Sequence, residues 1–235
     1  MVASTKKKSG RDAPMSNIET LAGRAEPRNL ADTPEILVKN ISFGVNLYEN
    51  TIPVEECQKY VTLLSSSLDS GLKKYSWLPP EEEAEVRTSA NDFVVTEEFL
   101  GPKDETNKDL YDMNSRVLDV IKTCVSDYAS SWGIEIHHYQ DLNFVRYVAP
   151  TGYFAPHIDD SPHTVRSVSA VLYLNDDYDG GELVFTRLDN LTVNPKPGDL
   201  VVFPSTYLYE HKSNVVPKGT KYCVVSFSDL YEKRG

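Results

Sequence analysis

"FAPHIDDSPH", Phe154 to His163, packs two histidines, two adjacent aspartates and two prolines into ten residues. His157 and Asp159 are one residue apart, and in an extended strand residues i and i+2 point to the same face. An imidazole nitrogen and a carboxylate oxygen would then lie side by side. Asp160 would face the other way, and His163, beyond a proline, falls in a turn. A lone His-x-Asp is common and can be purely structural. It gains weight downstream, where His211 closes the run "FPSTYLYEH", 52 residues after Asp159.

Between these points the chain reads as short β-rich runs: "LNFVRYVA", "VRSVSAVLYL", "GELVFTR", "DLVVFP" and "KYCVVSFSDL". The turns between them, "NDDYDGG" and "NPKPGD" among them, suggest an antiparallel sandwich or barrel. A jelly roll brings such strands together. Two imidazoles and one carboxylate on one side of a metal leave three positions open, which suits non-haem Fe(II) oxygenases. Structural zinc more often takes a closed four-ligand shell.

Lys221, ten residues after His211, begins the otherwise apolar run "KYCVVSF". A buried lysine is costly unless paired, and an anionic ligand inside the barrel would supply the pair. Tyr173 in "SAVLYLN", sharing a face with Val171, and Tyr147 in "FVRYVA" could each add a hydroxyl. Plainer readings exist for all of these. Lys221 could be an edge-strand charge, the tyrosines core aromatics, and Arg166 half of a surface ion pair. His137 and His138 read as ordinary exposed histidines.

Upstream, "ILVKNISFGVNLY" (36–48) reads as β structure interrupted at Gly44. "TIPVEECQKYVTLLSSSLDSGL" (51–72) reads as a helix, with Thr51 as cap, Pro53 in the first turn and Glu55 and Glu56 at the positive end. Its apolar face would be Val54, Cys57, Val61, Leu64 and Leu68, with Gly71 as the stop. "WLPPEEEAEVRTSANDFVV" reads as a surface loop leading into a strand. A second helix from about Asn107 to Trp132 presents Leu110, Met113, Val117, Ile121, Cys124 and Tyr128 on one face and ends at Gly133. Helices before strands suggest helices packed on one face of the sheet.

The 235 residues are 40% hydrophobic and 25% charged, ordinary for a soluble globular protein. The net charge of -11 argues against broad nucleic-acid binding. No run approaches a membrane span of about 18 apolar residues, and the N-terminus lacks a secretory core. Residues 1–33, with six basic and four acidic side chains, read as a flexible tail. Three scattered cysteines (Cys57, Cys124, Cys223) suggest buried thiols in a reducing, cytoplasmic compartment.

The fragments in order resemble the 2-oxoglutarate- and Fe(II)-dependent oxygenases, most closely the prolyl 4-hydroxylase branch, over about Val86 to Asp229. They are "EVRTSANDF" (85–93), His157-Ile158-Asp159, "GGELVF" (180–185), "PKPGDLVVF" (195–203), His211 and Lys221. The resemblance implies a mainly β (α+β) fold, a double-stranded β-helix or jelly roll with supporting N-terminal helices. A single catalytic domain would span 34–235, with its β-helix core at about 134–230. It implies Fe(II) on His157, Asp159 and His211, and 2-oxoglutarate on Lys221 with Tyr173 and Tyr147. Arg166 and Arg87 would contact substrate, beneath a closing loop of Pro79 to Arg87. O2 would be the oxidant and ascorbate the reductant. The activity implied is that of a procollagen-proline 4-dioxygenase-like prolyl hydroxylase acting on proline in a peptide or protein. Two alternatives keep part of this: the same chemistry on a free amino acid or small metabolite, or a cupin-like module binding a metal or anion without turnover. Phe154 stands where relatives often have tyrosine, and Phe227 where many have tryptophan, both near the pocket.

Overall fold

The structure, a computed structural model, describes residues 26–69, 87–88, 90–95, 100, 102–160 and 165–230. Its strands are β1 (Arg28–Leu30), β2 (Thr33–Ser42), β3 (Val45–Glu49), β4 (Arg87–Thr88), β5 (Ala90–Val95), β6 (His138–Tyr139) and β7 (Leu142–Val148). They continue as β8 (Gly152–His157), β9 (Val168–Tyr173), β10 (Leu183–Phe185), β11 (Leu191–Val193), β12 (Leu200–Pro204), β13 (His211–Val216) and β14 (Thr220–Asp229). The major sheet runs β1-β2-β3-β12-β9-β14-β7-β5, with β6 also on β14, and the minor sheet runs β11-β10-β13-β8-β4. Every pairing is antiparallel. This is the jelly roll expected from the sequence.

β9, "VSAVLY", lies at the centre, and all six of its residues are buried. Alternation explains why. Val168, Ala170 and Leu172 enter the core shared with the helices, whereas Val171 and Tyr173 enter the core between the sheets. β12 divides the same way, with Leu200 and Val202 toward the helices and Val201 and Phe203 inward. Each fully buried large apolar side chain is worth about 1.5–3 kcal/mol.

Two helices, Val54–Asp69 and Lys108–Ser131, cover the outer face of the major sheet. The longer one buries Leu110, Met113, Val117, Ile121, Cys124 and Tyr128, the face its periodicity predicts. Buried tyrosine hydroxyls tie this layer down: Tyr60 donates to Asn114 at 2.9 Å, and Tyr48 to Asp127 at 2.8 Å. The shorter helix differs from expectation at its start. Thr51 does not cap it, because the hydroxyl donates instead to the Gly198 carbonyl at 2.7 Å. The first helical bond, Cys57 N–H to Pro53 C=O, begins the helix after Pro53. Val54 is exposed, and Tyr60 joins Cys57 and Leu64 on the buried face. Leu68, Gly71 and the rest of the Pro79–Arg87 loop before Arg87 lie outside the residues whose side chains are described.

Arg28–Leu30, within the stretch read as a tail, pairs with β2, and Arg28 grips the Asp127 carboxylate at 2.7 and 2.9 Å. Residues 1–25 are outside the described part. Among the described residues no helix is long and apolar enough to cross a membrane.

Candidate functional site

His157 ends β8 and His211 begins β13, and the register of these neighbouring strands sets the two residues opposite each other. Their rings approach to 4.4 Å between centroids. Asp159 is not on a strand as the alternation argument expected, because β8 stops at His157. Its carboxylate still turns inward: Oδ1 lies 3.5 Å from His157 Nε2 and Oδ2 3.7 Å from His211 Nε2. One donor atom from each residue falls within 4.8 Å of the others. Asp160 is engaged elsewhere, its carboxylate accepting the Arg166 N–H at 3.3 Å. His163 lies outside the described residues.

Backbone carbonyls set both imidazoles. Nδ1 of His157 lies 2.8 Å from the Ala155 oxygen, and Nδ1 of His211 lies 3.0 Å from the Tyr209 oxygen. Each Nδ1–H donates to its carbonyl, so the Nε2 lone pair is left facing the cluster. Burial pushes His211 down to about 4 against the pull of Asp159, which keeps the ring neutral. Burial alone would raise the Asp159 carboxyl, but His211, His157 and the Ser169 hydroxyl together hold it below the usual carboxylate range. A neutral imidazole and an ionised carboxylate are the forms that bind a metal. Phe154 stacks on His157 at 3.8 Å, and Phe203 meets His211 edge-on at 4.9 Å, so apolar rings wall the cluster.

Lys221 is 2% exposed, on β14 of the opposite sheet. Its ammonium donates to the Gly181 carbonyl at 2.7 Å and to Ser213 Oγ at 3.0 Å. No carboxylate among the described residues pairs with it, and burial lowers its pKa. Ser213 follows His211 by two residues on β13, one same-face step of about 6.6 Å. Lys221 is thus bonded to the strand that begins with His211. Tyr147 and Tyr173 place their rings 4.9 and 5.2 Å from its Nζ. The Tyr173 hydroxyl is buried and has no hydrogen-bond partner among the described residues. Gly181 makes room here, since a Cβ on it would meet Lys221 Cδ at 3.1 Å and its φ is +69.

Arg166 lies flat over Phe227, 3.7 Å from the ring centroid, and donates to the Asp159 carbonyl at 3.3 Å. Arg87 is placed by its backbone on β4, opposite Phe154 of β8, and its side chain lies outside the described part. Sequence reasoning passed over Ser169 and Ser213. The available signal was a serine at an inward position of an otherwise apolar strand, and a hydroxyl residue two after a proposed ligand.

The donor set fits a divalent metal of the kind held by two histidines and one carboxylate. A buried ammonium with no carboxylate partner, near a buried phenol with no hydrogen-bond partner among the described residues, fits an acidic ligand next to it. Fold and donors together define the class of jelly-roll proteins with a two-histidine, one-carboxylate centre. Residues 142–228 match the family model described as the 2OG-Fe(II) oxygenase superfamily, a span holding all three donors and Lys221. The family's cofactors are Fe(II), 2-oxoglutarate and O2.

Over 68 residues the chain is 43% identical to prolyl 3-hydroxylase 2 of Homo sapiens, a match covering 27% of this chain and 10% of that protein. The match thus spans about a tenth of the length of these curated prolyl 3-hydroxylases. A prolyl hydroxylase from Trichoplax adhaerens, solved with a hypoxia inducible factor peptide fragment, superposes with a TM-score of 0.63 at 15% identity, over 80% of this chain and 84% of that one. A Pseudomonas putida prolyl-4-hydroxylase gives 0.57 at 21% identity, over 80% and 94%. At these identities the structural likeness is one of fold.

Proposed function

We propose that the domain hydroxylates a prolyl residue of a peptide or protein at carbon 4, consuming 2-oxoglutarate and O2 and releasing succinate and CO2. The observation that supports 2-oxoglutarate as cosubstrate is the buried Lys221 ammonium, which among the described residues has no carboxylate partner, near the buried Tyr173 whose hydroxyl has no partner there either; the prolyl target is the further step of the proposal. In this reading His157, Asp159 and His211 hold Fe(II). Lys221 and Tyr173 take the distal carboxylate of 2-oxoglutarate, with the Tyr147 ring beside it. Fe(II) and 2-oxoglutarate, when bound, would activate O2 for attack on an unactivated C–H bond.

The chain's own part is placement and dryness. The Ala155 and Tyr209 carbonyls orient the imidazoles, and Phe154, Phe185 and Phe203 exclude water around them. Arg166, braced on Phe227 and bonded to the Asp159 backbone, is a substrate contact at the rim, and Arg87 on β4 a second. Ascorbate serves as reductant. The reading extends to a reducing, cytoplasmic compartment, supported by three buried cysteines.

The test is succinate formation from 2-oxoglutarate with Fe(II) and ascorbate in air, with and without proline-rich peptides, beside His157→Ala. Peptide-stimulated succinate that vanishes in the variant, with 4-hydroxyproline in the peptide hydrolysate, is the expected result. The 3-hydroxy isomer would move the site of attack. Stimulation by a free amino acid alone would overturn the peptide reading, and absence of turnover together with absence of 2-oxoglutarate binding would overturn catalysis.

A further inference from the structure

We propose that Ser169 and Ser205 are positioning residues that tie down one oxygen of Asp159, so that the carboxylate meets the metal through the other and three metal positions stay open. The proposal rests on the reading of His157, Asp159 and His211 as the iron ligands.

The hydroxyl chain is short and closed to solvent. Ser169 Oγ lies 2.6 Å from Asp159 Oδ2, and the two serine hydroxyls are 2.7 Å apart. Ser169 is 0% exposed, Ser205 1% and Asp159 8%. Its hydrogens can be ordered by chemistry alone. An ionised carboxylate only accepts, so Ser169 donates to Asp159. Ser169 has one hydroxyl proton and has used it, so Ser205 donates to Ser169. The order is therefore Ser205 to Ser169 to Asp159. The bond to the carboxylate is in the short, charge-assisted class.

Both serines stand on fixed backbone. Ser169 belongs to β9, paired with Phe203 of β12 on one side and Phe227 of β14 on the other. The Ser205 N–H donates to the Ser167 carbonyl at 3.0 Å, and its carbonyl accepts the Asp160 N–H at 3.1 Å. Asp159 lies beyond the end of β8, so the strand does not orient it and this chain does. Oδ2 accepts from Ser169, and Oδ1, 3.5 Å from His157 Nε2, is the oxygen the proposal gives to the metal. A carboxylate closing on the metal through both oxygens would occupy a fourth position, which a chelating 2-oxo acid and O2 need between them.

The measurement is anaerobic binding of Fe(II), then of 2-oxoglutarate at saturating Fe(II), followed by the visible absorption of the complex. Wild type is compared with Ser169→Ala, Ser205→Ala and Ser169→Thr, and no turnover is needed. Loss of an outer partner of a metal ligand typically costs about 10–100-fold in metal affinity. Ser169→Ala is expected to lose that much for Fe(II) and to bind 2-oxoglutarate measurably more weakly even when metal-saturated. Ser205→Ala should fall between it and wild type, and Ser169→Thr, which restores the hydroxyl, should recover. A merely structural serine would leave the metal-saturated 2-oxoglutarate affinity unchanged, and that result overturns the proposal. If Ser169→Ala fails to fold, wild-type Fe(II) affinity in Ser205→Ala overturns it instead. Wild type that binds neither Fe(II) nor 2-oxoglutarate would defeat the underlying site reading, a different failure from a wild type that binds both and a variant that matches it.

Discussion

Replacing Lys221 with methionine separates a structural lysine from one kept for a ligand. The ammonium is 2% exposed and donates to the Gly181 carbonyl and Ser213 Oγ. Burying an ion costs several kcal/mol even after relaxation, while hydrogen bonds from a charged donor return about 1.5–3 kcal/mol each. Two such bonds roughly offset one burial. Methionine fills similar space, and Ser213 Oγ already lies 3.4 Å from the Gly181 carbonyl, so the stranded groups can satisfy each other. The unliganded protein should therefore change by no more than about 2 kcal/mol in urea unfolding. Binding of 2-oxoglutarate should collapse. Truncating one partner of a buried charge pair costs about 2–5 kcal/mol, or roughly 30-fold to several-thousand-fold in affinity. Anaerobic titration of the Fe(II)-loaded variant measures it. Affinity within about threefold of wild type, or destabilisation beyond about 4 kcal/mol without ligand, would refute the reasoning.

Tyr173→Phe should raise the melting temperature of the unliganded protein, because its buried hydroxyl has no partner among the described residues and an unsatisfied group costs about 1–3 kcal/mol. With 2-oxoglutarate present the sign should reverse, the affinity falling about 3- to 10-fold as one neutral hydrogen bond is lost. His211 predicts a pH dependence in the metal-free protein. Its pKa falls from 6.5 to about 4 on burial, so the unfolded chain binds more protons between those values. Stability is full above 6.5 and is lost as pH falls toward 4, by up to about 3 kcal/mol. Urea unfolding across that window should show the loss in wild type and a flatter profile in His211→Phe; equal slopes would contradict the assignment. Gly44→Ala should weaken Fe(II) binding and destabilise the fold by at least about 1–2 kcal/mol. Its φ is +70, and the new Cβ would lie 2.2 Å from the Tyr209 hydroxyl, whose residue also supplies the carbonyl that holds His211. Adding Tyr209→Phe should restore part of the metal affinity, and no restoration would break the link.

Much of this molecule could be read from residue order. The β-rich run "VRSVSAVLYL" marks a strand, though its burial on both faces appears only in the fold, and the spacing from Leu110 to Tyr128 marks a helix with one apolar side. His157, Asp159 and His211 stood out as candidate donors only when taken together, and the fold brings their donor atoms within 4.8 Å of one another. These signals depend on local periodicity and side-chain chemistry, which neighbouring residues carry among themselves. Other features depend on residues that meet only after folding. Thr51 has the composition of a helix cap, yet its hydroxyl goes to Gly198, far along the chain. Asp159 lies off the strand that alternation assigned to it, and its orientation comes from Ser169 on β9. Serines are too common for sequence to single out Ser169 and Ser205. Their bond exists because β9 pairs with β12, bringing hydroxyls 36 residues apart to 2.7 Å. A hydrogen bond weakens within a few tenths of an ångström of misplacement, and only sheet register sets distances that finely across the chain.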